Sequence, residues 1–290
     1  MILGGPRWSA ACSYQVAWTI NPHLVVGSVD RGRALDQHAR LLRTVRDLGA
    51  EIVCLPFVHG GFDSVFAKDN ALYLHHRGST RAVLGAPRFE VRQLEQRIRA
   101  RDLTRAGFQV DDRAIAFEGG DLCVVPGGEA FLGHGFRSSL AALEELAQIL
   151  EAPVTALELV DPELYHLDTA LAVLADGTML VCDEAFSPAS RETLRRAARG
   201  EVISIVRSEA VQFALNLVEV GDTVVTGTES AVVADALRAL GKQVIVMPLD
   251  EFHRAGGSAA CLLAPILDLD LDAQVTVATS ATAAMRSTAA

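Results

Sequence analysis

Ala170-Leu171-Ala172-Val173-Leu174-Ala175-Asp176-Gly177-Thr178-Met179-Leu180-Val181-Cys182 reads as two short apolar strands joined at Asp176-Gly177. Asp-Gly is favoured where a tight hairpin turn needs positive φ, so the stretch predicts a β-hairpin. A helical segment follows over roughly Pro188 to Ala198, and then the strand Val202-Ile203-Ser204-Ile205-Val206. The unit is strand, turn, strand, helix, strand.

The same order recurs. Leu217-Val218-Glu219-Val220, Gly221-Asp222 and Thr223-Val224-Val225 predict another hairpin, with a helix near Ser230 to Leu240 and the strand Val244-Ile245-Val246-Met247 behind it. Two looser copies lie upstream. Residues 71–74 and 82–84 precede a helix over about Glu90 to Ala106, and residues 122–125 and 130–132 precede a helix over about Leu140 to Leu150. A fifth copy is expected to be split between the two ends of the sequence. It pairs Cys261-Leu262-Leu263 with Tyr14-Gln15-Val16-Ala17-Trp18, and its last strand is Glu51-Ile52-Val53-Cys54-Leu55. Its helix is Leu35 to Leu48, with Leu35, His38, Leu41, Leu42, Val45 and Leu48 at helical spacing. Units of about 45–55 residues over a chain of 290 predict a closed, radially arranged α/β fold.

Four polar clusters stand in otherwise apolar surroundings. They are Asp63-Ser64-Val65-Phe66-Ala67-Lys68-Asp69, Glu118-Gly119-Gly120-Asp121, Tyr165-His166-Leu167-Asp168 and Ala255-Gly256-Gly257-Ser258-Ala259-Ala260-Cys261. Asp63, Glu118, His166 and Cys261 each follow a unit's last strand and precede the next hairpin. Equivalent positions in a ring of units converge on its axis, so four distant segments are expected to build one site. One thiol, one imidazole and several carboxylates supply a nucleophile, an acid/base and a cation clamp. That set suits attack on a guanidinium carbon.

Composition narrows the function classes. Half the residues are hydrophobic and 21% are charged, enough for a large core. The formal charge is −10 with no basic tract, which argues against a nucleic-acid partner. No apolar run approaches the ~20 residues of a membrane span, and no signal-peptide zones open the sequence. Five cysteines, Cys12, Cys54, Cys123, Cys182 and Cys261, lack C-x-x-C or zinc spacing. Cys54, Cys123 and Cys182 sit in strand-like runs and are expected to be buried reduced thiols, which fits a cytoplasmic protein. His75-His76 are adjacent on a predicted strand and point to opposite sides, so they do not share a metal easily. There is no phosphate loop, no dinucleotide fingerprint and no G-x-S-x-G. Residues 1–267 are expected to form a single catalytic domain. Residues 268–290 turn to Ala, Thr and Ser and are expected to be a flexible tail.

Taken singly, each candidate has a plainer reading. A lone cysteine usually packs, a lone histidine is usually structural, Asp63 and Asp69 suit caps, and Glu118-Gly119-Gly120 suits a turn. The order, spacing and repeat position of all of them together favour the site.

With these motifs in this order, the chain resembles the guanidino-modifying enzymes of the pentein fold, five-bladed ββαβ propellers with pseudo-fivefold symmetry. Within them it is similar to dimethylarginine dimethylaminohydrolase, arginine deiminase and arginine dihydrolase, over about residues 10 to 267. The resemblance implies Cys261 as nucleophile, His166 as acid/base, and Glu118 as the partner that holds the substrate cation and assists the histidine. It implies Asp63 and Asp69, in the D-S-V-F-x-x-D segment, as guanidinium contacts. Arg88 and Arg137 fall where the family binds the amino-acid carboxylate, and Asn21, in Ile20-Asn21-Pro22, matches an I-N-P segment of the dihydrolase branch. Two departures stand out. Dimethylargininases usually carry Glu-Asp where this chain has Lys68-Asp69, whereas the dihydrolases carry Asn in place of Asp69. Asp168 matches the deiminases, where an acid grips the unsubstituted guanidinium nitrogens, whereas dimethylargininases tend to have lysine there.

The implied activity is Cys-dependent hydrolysis of a guanidine C–N bond in arginine or an N-methylated arginine, most like dimethylargininase. It proceeds through a covalent thiouronium intermediate and needs no metal and no cofactor. The expected partner is a small cationic guanidino substrate, and a homodimer is compatible with the family. The alternatives are arginine deiminase or dihydrolase, an amidinotransferase, and a non-catalytic pentein that only binds.

Overall fold

The computed structural model of the chain describes residues 1–4, 14–126 and 129–270. It is a mixed α/β structure with five small sheets. β1 (Ile2–Gly4), β2 (Val53–Leu55) and β15 (Leu263–Ala264) form the first, and β3 (Ala71–His76), β4 (Ser79–Gly85) and β5 (Gln109–Ile115) the second. The third holds β6 (Leu122–Val124), β7 (Ala130–His134) and β8 (Val154–Glu158), and the fourth β9 (Leu171–Val173), β10 (Met179–Val181) and β11 (Val202–Ser204). The fifth holds β12 (Leu217–Val220), β13 (Thr223–Thr226) and β14 (Gln243–Val246), while β16 (Ile266–Asp268) adds to the second beside β3.

Each sheet has the same grammar. An antiparallel pair comes first, then a helix, and then a strand parallel to the second of the pair. The five crossover helices are α1 (Arg31–Asp47), α2 (Glu90–Arg105), α3 (Ala142–Leu150), α4 (Pro188–Ala197) and α5 (Ala231–Ala239). Their starts follow from local chemistry. Asp30, Ser187 and Ser230 cap α1, α4 and α5 with side-chain oxygens that accept backbone N–H groups, and Pro188 occupies the first turn of α4. The hairpin at Asp176-Gly177 closes with Gly177 at φ 86° and Thr178 N–H donating to Asp176 Oδ1.

The fifth unit is indeed split, but with a different first partner. Ile2–Gly4, not Tyr14–Trp18, pairs with the strand near Cys261, in the register Ile2 to Ala264 and Leu3 to Leu263. Tyr14 instead stacks on Phe252 at 5.0 Å and donates its hydroxyl to Glu251 O, so its segment serves the core outside any sheet. Cys261 and Leu262 belong to a helical turn, Ala259–Leu262, and the strand starts one residue later. Cys54 is exposed rather than buried, because successive side chains on β2 alternate faces and it lies opposite the buried Leu55. Cys182 is buried, Cys123 half-buried, and Cys12 lies outside the described residues. Of the expected tail, residues 268–270 continue from β16, with Leu269 N–H on His75 O, and residues 271–290 lie outside the described residues.

The core comprises four apolar clusters that bridge neighbouring sheets. Leu55, Ala264, Tyr73 and Leu84 join the first sheet to the second, and Leu74, Val83, Leu122 and Leu132 join the second to the third. Phe131, Leu171, Leu180, Leu217 and Val224 join the third, fourth and fifth. Val220, Val225, Leu263 and the buried face of α1 (Ala34, Leu41, Val45) join the fifth to the first. Among the described residues no helix is long and apolar enough to cross a membrane.

Candidate active site

Four of the five units open with a short helical turn just ahead of the first strand, and these turns and the residues before them carry the polar groups. Ala67–Asn70 precedes β3, Gly119–Asp121 precedes β6, Leu167–Ala170 precedes β9 and Ala259–Leu262 precedes β15. A tight turn followed at once by a buried strand gives its side chains little freedom to move, which suits a preorganised site.

The turns converge on one cavity, lined by Asn21, Asp63, Asp69, Arg137, His166 and Cys261 together with Phe66, Arg92 and Tyr165. Six of the nine residues expected from the sequence therefore share one wall. Glu118 stands directly behind His166, its Oε2 3.1 Å from the imidazole Nε2. Asp168 reaches the thiol, with carboxylate oxygens at 3.8 and 3.9 Å from Cys261 Sγ. The Arg88 side chain is exposed and is not among the lining residues. Its guanidinium donates to Phe136 O at 2.6 Å, and its backbone N–H donates to Glu118 Oε1. A more open depression between α2 and β5, lined by Arg101, Arg105 and Asp112 among others, offers more room but no nucleophile and no buried acid.

His166 lies between two carboxylates, Nε2 on Glu118 and Nδ1 3.6 Å from Asp69 Oδ1. Burial alone would push the imidazole pKa down, but Asp69, Asp121 and Glu118 outweigh it and hold it at about 9. Burial also works against the charge on Glu118, yet the hydrogen bond from His166 and the guanidiniums of Arg137 and Arg92 keep it well below the usual carboxylate range. Gly120 permits this packing: a Cβ there would stand 2.8 Å from both Asp69 Oδ1 and His166 Nδ1. Asp121 accepts from Ser138 N–H, Ser138 Oγ and Leu167 N–H, fastening the segments that carry Arg137 and His166. Burial pushes its carboxyl up to about 7.

Cys261 is buried, and burial raises its thiol pKa well above normal, with Asp168 and Asp69 adding to the rise. The resting residue is therefore a neutral thiol in the cavity that His166 also lines.

Several partners were missed from the sequence. Arg92 on α2 is buried and donates from Nη1 to Asp69 Oδ2 at 2.9 Å and from Nη2 to Glu95 Oε1 at 2.6 Å. Asn216 is fully buried, donates Nδ2 to Cys261 Sγ at 3.1 Å and accepts the Cys261 N–H on Oδ1 at 3.2 Å. Trp18 Nε1 donates to Asp63 Oδ2 at 2.7 Å. Tyr165 donates to Gly256 O, and the Arg137 guanidinium lies over its ring at 4.6 Å and over that of Phe89 at 4.7 Å. Asn216 had a legible signal: it immediately precedes β12, the position in its unit that Asp121 holds ahead of β6. Arg92 had none, being one of several arginines on a polar helix.

Asp69, Glu118 and His166 bring ligand atoms within 4.8 Å of one another, a spacing that a metal ion can use. Their neighbours disfavour one. Arg92 is 2.9 Å from Asp69 and 3.5 Å from Glu118, and Arg137 is 3.2 Å from Glu118, so two permanent cations already face these acids.

Residues 27–268 match the family described as N,N dimethylarginine dimethylhydrolase, eukaryotic. The N(G),N(G)-dimethylarginine dimethylaminohydrolase of Mycobacterium tuberculosis is 36% identical over 250 residues, 86% of this chain and 81% of that protein. The bifunctional arginine dihydrolase/ornithine cyclodeaminase AgrE of Nostoc sp. is 32% identical over 86% of this chain, which spans 36% of that longer protein. The N-terminal domain of ArgZ, an arginine dihydrolase of the cyanobacterial ornithine-ammonia cycle, superposes in its substrate-bound form with a TM-score of 0.85 at 28% identity, covering 92% of this chain and 98% of that one. A second structure of that domain, covalently bound to a reaction intermediate, gives the same TM-score at 29% identity over the same shares.

Proposed function

This chain belongs to the N,N-dimethylarginine dimethylhydrolase family, and from that premise we propose that it hydrolyses a guanidine C–N bond of an N-methylated arginine. The observation that carries this reading is the convergence of Cys261, His166 and Asp69 on one buried cavity, with Glu118 bonded to His166 behind it.

The residues divide the work as follows. A free neutral thiol is a poor nucleophile, and Cys261 is held neutral until a cation enters. A unit charge at 4 Å is worth ~4 kcal/mol at an effective dielectric of about 20, roughly three pKa units. The bound guanidinium thus draws the thiol proton off into solvent and generates its own thiolate. Sulfur attacks the guanidinium carbon to give a tetrahedral adduct. His166, protonated at neutral pH, gives its proton to the departing nitrogen, and the C–N bond breaks to release an amine and leave a thiouronium. His166, now neutral, takes a proton from water as its oxygen adds to the same carbon. The sulfur then leaves as thiolate while the hydroxyl gives up its proton, which returns Cys261 to the neutral thiol and leaves the ureido product. Asp69 and Asp63, which line the cavity, accept guanidinium N–H groups, while Glu118 holds His166 from behind. A neighbouring relative's structure with a covalent intermediate supports the covalent route.

The five repeated sheets are proposed to form a five-bladed propeller with pseudo-fivefold symmetry. The apolar clusters that link the sheets in cyclic order, fifth to first included, support it.

A second reading, arginine dihydrolase, is favoured by the close superposition on the substrate-bound ArgZ domain. One experiment separates the two. The protein is incubated with arginine, monomethylarginine and asymmetric dimethylarginine, and the ureido product and released amine are identified. Dimethylamine with citrulline supports the first reading, ammonia from arginine the second, and no product from any of them refutes both.

A further inference from the structure

The short turn Ala67–Asn70 serves the site on two sides. Asp69 faces His166, while its neighbour Lys68 turns its ammonium to Asp168, with Nζ 2.9 Å from Oδ2. Both members of this pair are largely withdrawn from water, at 16% and 7% side-chain exposure. The same carboxylate lies 3.8 Å from Cys261 Sγ, and the Asp168 backbone carbonyl accepts the Asn216 amide that also donates to Sγ. A buried carboxylate at that distance opposes the thiolate that the chemistry requires. Among the other groups at the cavity, Asp69 adds to the opposition, Tyr165 is held neutral and Asn216 is a dipole without net charge, while the imidazolium of His166 and the guanidiniums of Arg92 and Arg137 are already paired with Glu118, Asp69 or Glu95. Lys68 is the cation set against Asp168. It also faces Cys123, a second thiol, and Asp168 outweighs the burial that would otherwise neutralise the ammonium.

We propose that Lys68 is a positioning residue for the nucleophile: its ammonium offsets the Asp168 charge beside Cys261 and, through Oδ2, fixes that carboxylate with both oxygens within 3.9 Å of the thiol. This rests on Cys261 being the nucleophile. The consequence is that the ease of forming the thiolate depends on the summed charge of positions 68 and 168, not on either residue alone.

The test is the pH dependence of Cys261 alkylation by iodoacetamide in the substrate-free protein, with the modified peptide identified by mass spectrometry so that Cys123 is counted separately. Lys68→Met should slow alkylation of Cys261 at pH 8 about tenfold, equivalent to roughly one unit in thiol pKa. Asp168→Asn should speed it. The double variant Lys68→Met/Asp168→Asn should return close to the parent, and Lys68→Arg should match the parent throughout. A purely structural role for Lys68 predicts no such reversal in the double variant. Equal alkylation profiles for parent and Lys68→Met, or a slower Asp168→Asn, would overturn the proposal. If Lys68→Met does not fold, Asp168→Asn and Lys68→Arg decide alone, by the same criteria. Turnover by Cys261→Ser would instead sink the nucleophile reading, whereas an inactive Cys261→Ser with unchanged Lys68→Met alkylation sinks only this inference.

Discussion

Asn216 holds Cys261 at two points, giving its Nδ2–H to Sγ at 3.1 Å and taking the Cys261 backbone N–H on Oδ1 at 3.2 Å. The first contact strengthens when sulfur becomes negative, because hydrogen bonds to charged groups are worth about 1.5–3 kcal/mol. Asn216→Ala should therefore lower kcat by roughly ten- to a hundredfold, at ~1.4 kcal/mol per decade, with a smaller change in KM. A rise in KM alone would place the residue with substrate binding instead.

Cys261→Ser and His166→Ala should each abolish turnover, while Cys123→Ser should retain it. Cys123 is a half-buried thiol whose pKa burial pushes up to about 11, and it does not line the cavity. Steady-state rates on the three variants check this, and substantial activity in Cys261→Ser would refute the covalent route.

His166 makes activity and stability fall together at alkaline pH. Its native pKa of about 9 lies above the unfolded value of 6.5. The stability it contributes is then fully present below about pH 6.5 and is lost as pH rises through about 9. The kcat/KM should decline over the same alkaline limb, because a neutral imidazole has no proton for the leaving amine. Thermal melts of parent and His166→Gln at pH 6 and pH 10 should show a gap that narrows at pH 10. A widening gap would contradict the carboxylate clamp.

Arg88 and Arg137 should separate in kinetics. Arg137 is bonded to Glu118 Oε2 and Ile20 O and lies over the rings of Tyr165 and Phe89, so Arg137→Ala should reduce kcat as well as raise KM. Arg88 is exposed at the edge of the site, and Arg88→Ala should raise KM for amino-acid substrates with kcat nearly intact. Agmatine, which has no carboxylate, should be insensitive to Arg88→Ala; an equal loss on agmatine would refute a carboxylate role.

Gly120→Ala should inactivate without unfolding. Its Cβ would enter the space between Asp69 Oδ1 and His166 Nδ1, at 2.8 Å from each, and force the imidazole off its partners. Circular dichroism should be unchanged while turnover falls by at least ~100-fold, since displaced catalytic groups lose that much. Full activity would mean that the imidazole has room to adapt.

Much of this architecture was legible beforehand because it depends on local rules. The hairpin at Asp176-Gly177, the spacing of α1 and the strands around residues 217–226 follow from period and turn chemistry alone. Ile2–Gly4 was not legible, since a three-residue strand has no period and its choice over Tyr14–Trp18 is made by a partner at residues 263–264. The site divided in the same way. Cys261, His166 and Glu118 stand out by type and repeat position, whereas Arg92 looks like any polar helix residue until α2 is folded against the turn bearing Asp69. Lys68 and Asp168 read as two separate departures from the family pattern; folded, they are one ion pair.

The pairing of Ile2 with Ala264 has a consequence for synthesis on the ribosome. Ile2–Gly4 has no antiparallel mate until the segment just after Cys261 has been made, so the first sheet, like the second with its β16 edge, completes after the third, fourth and fifth. Contacts of such sequence separation form slowly. The nucleophile's turn therefore docks only after the third, fourth and fifth sheets and the β3–β5 part of the second have had time to assemble. A nascent chain passes through most of its folding with the acids and the histidine in place and no thiol beside them, and so without the means to trap a guanidine covalently.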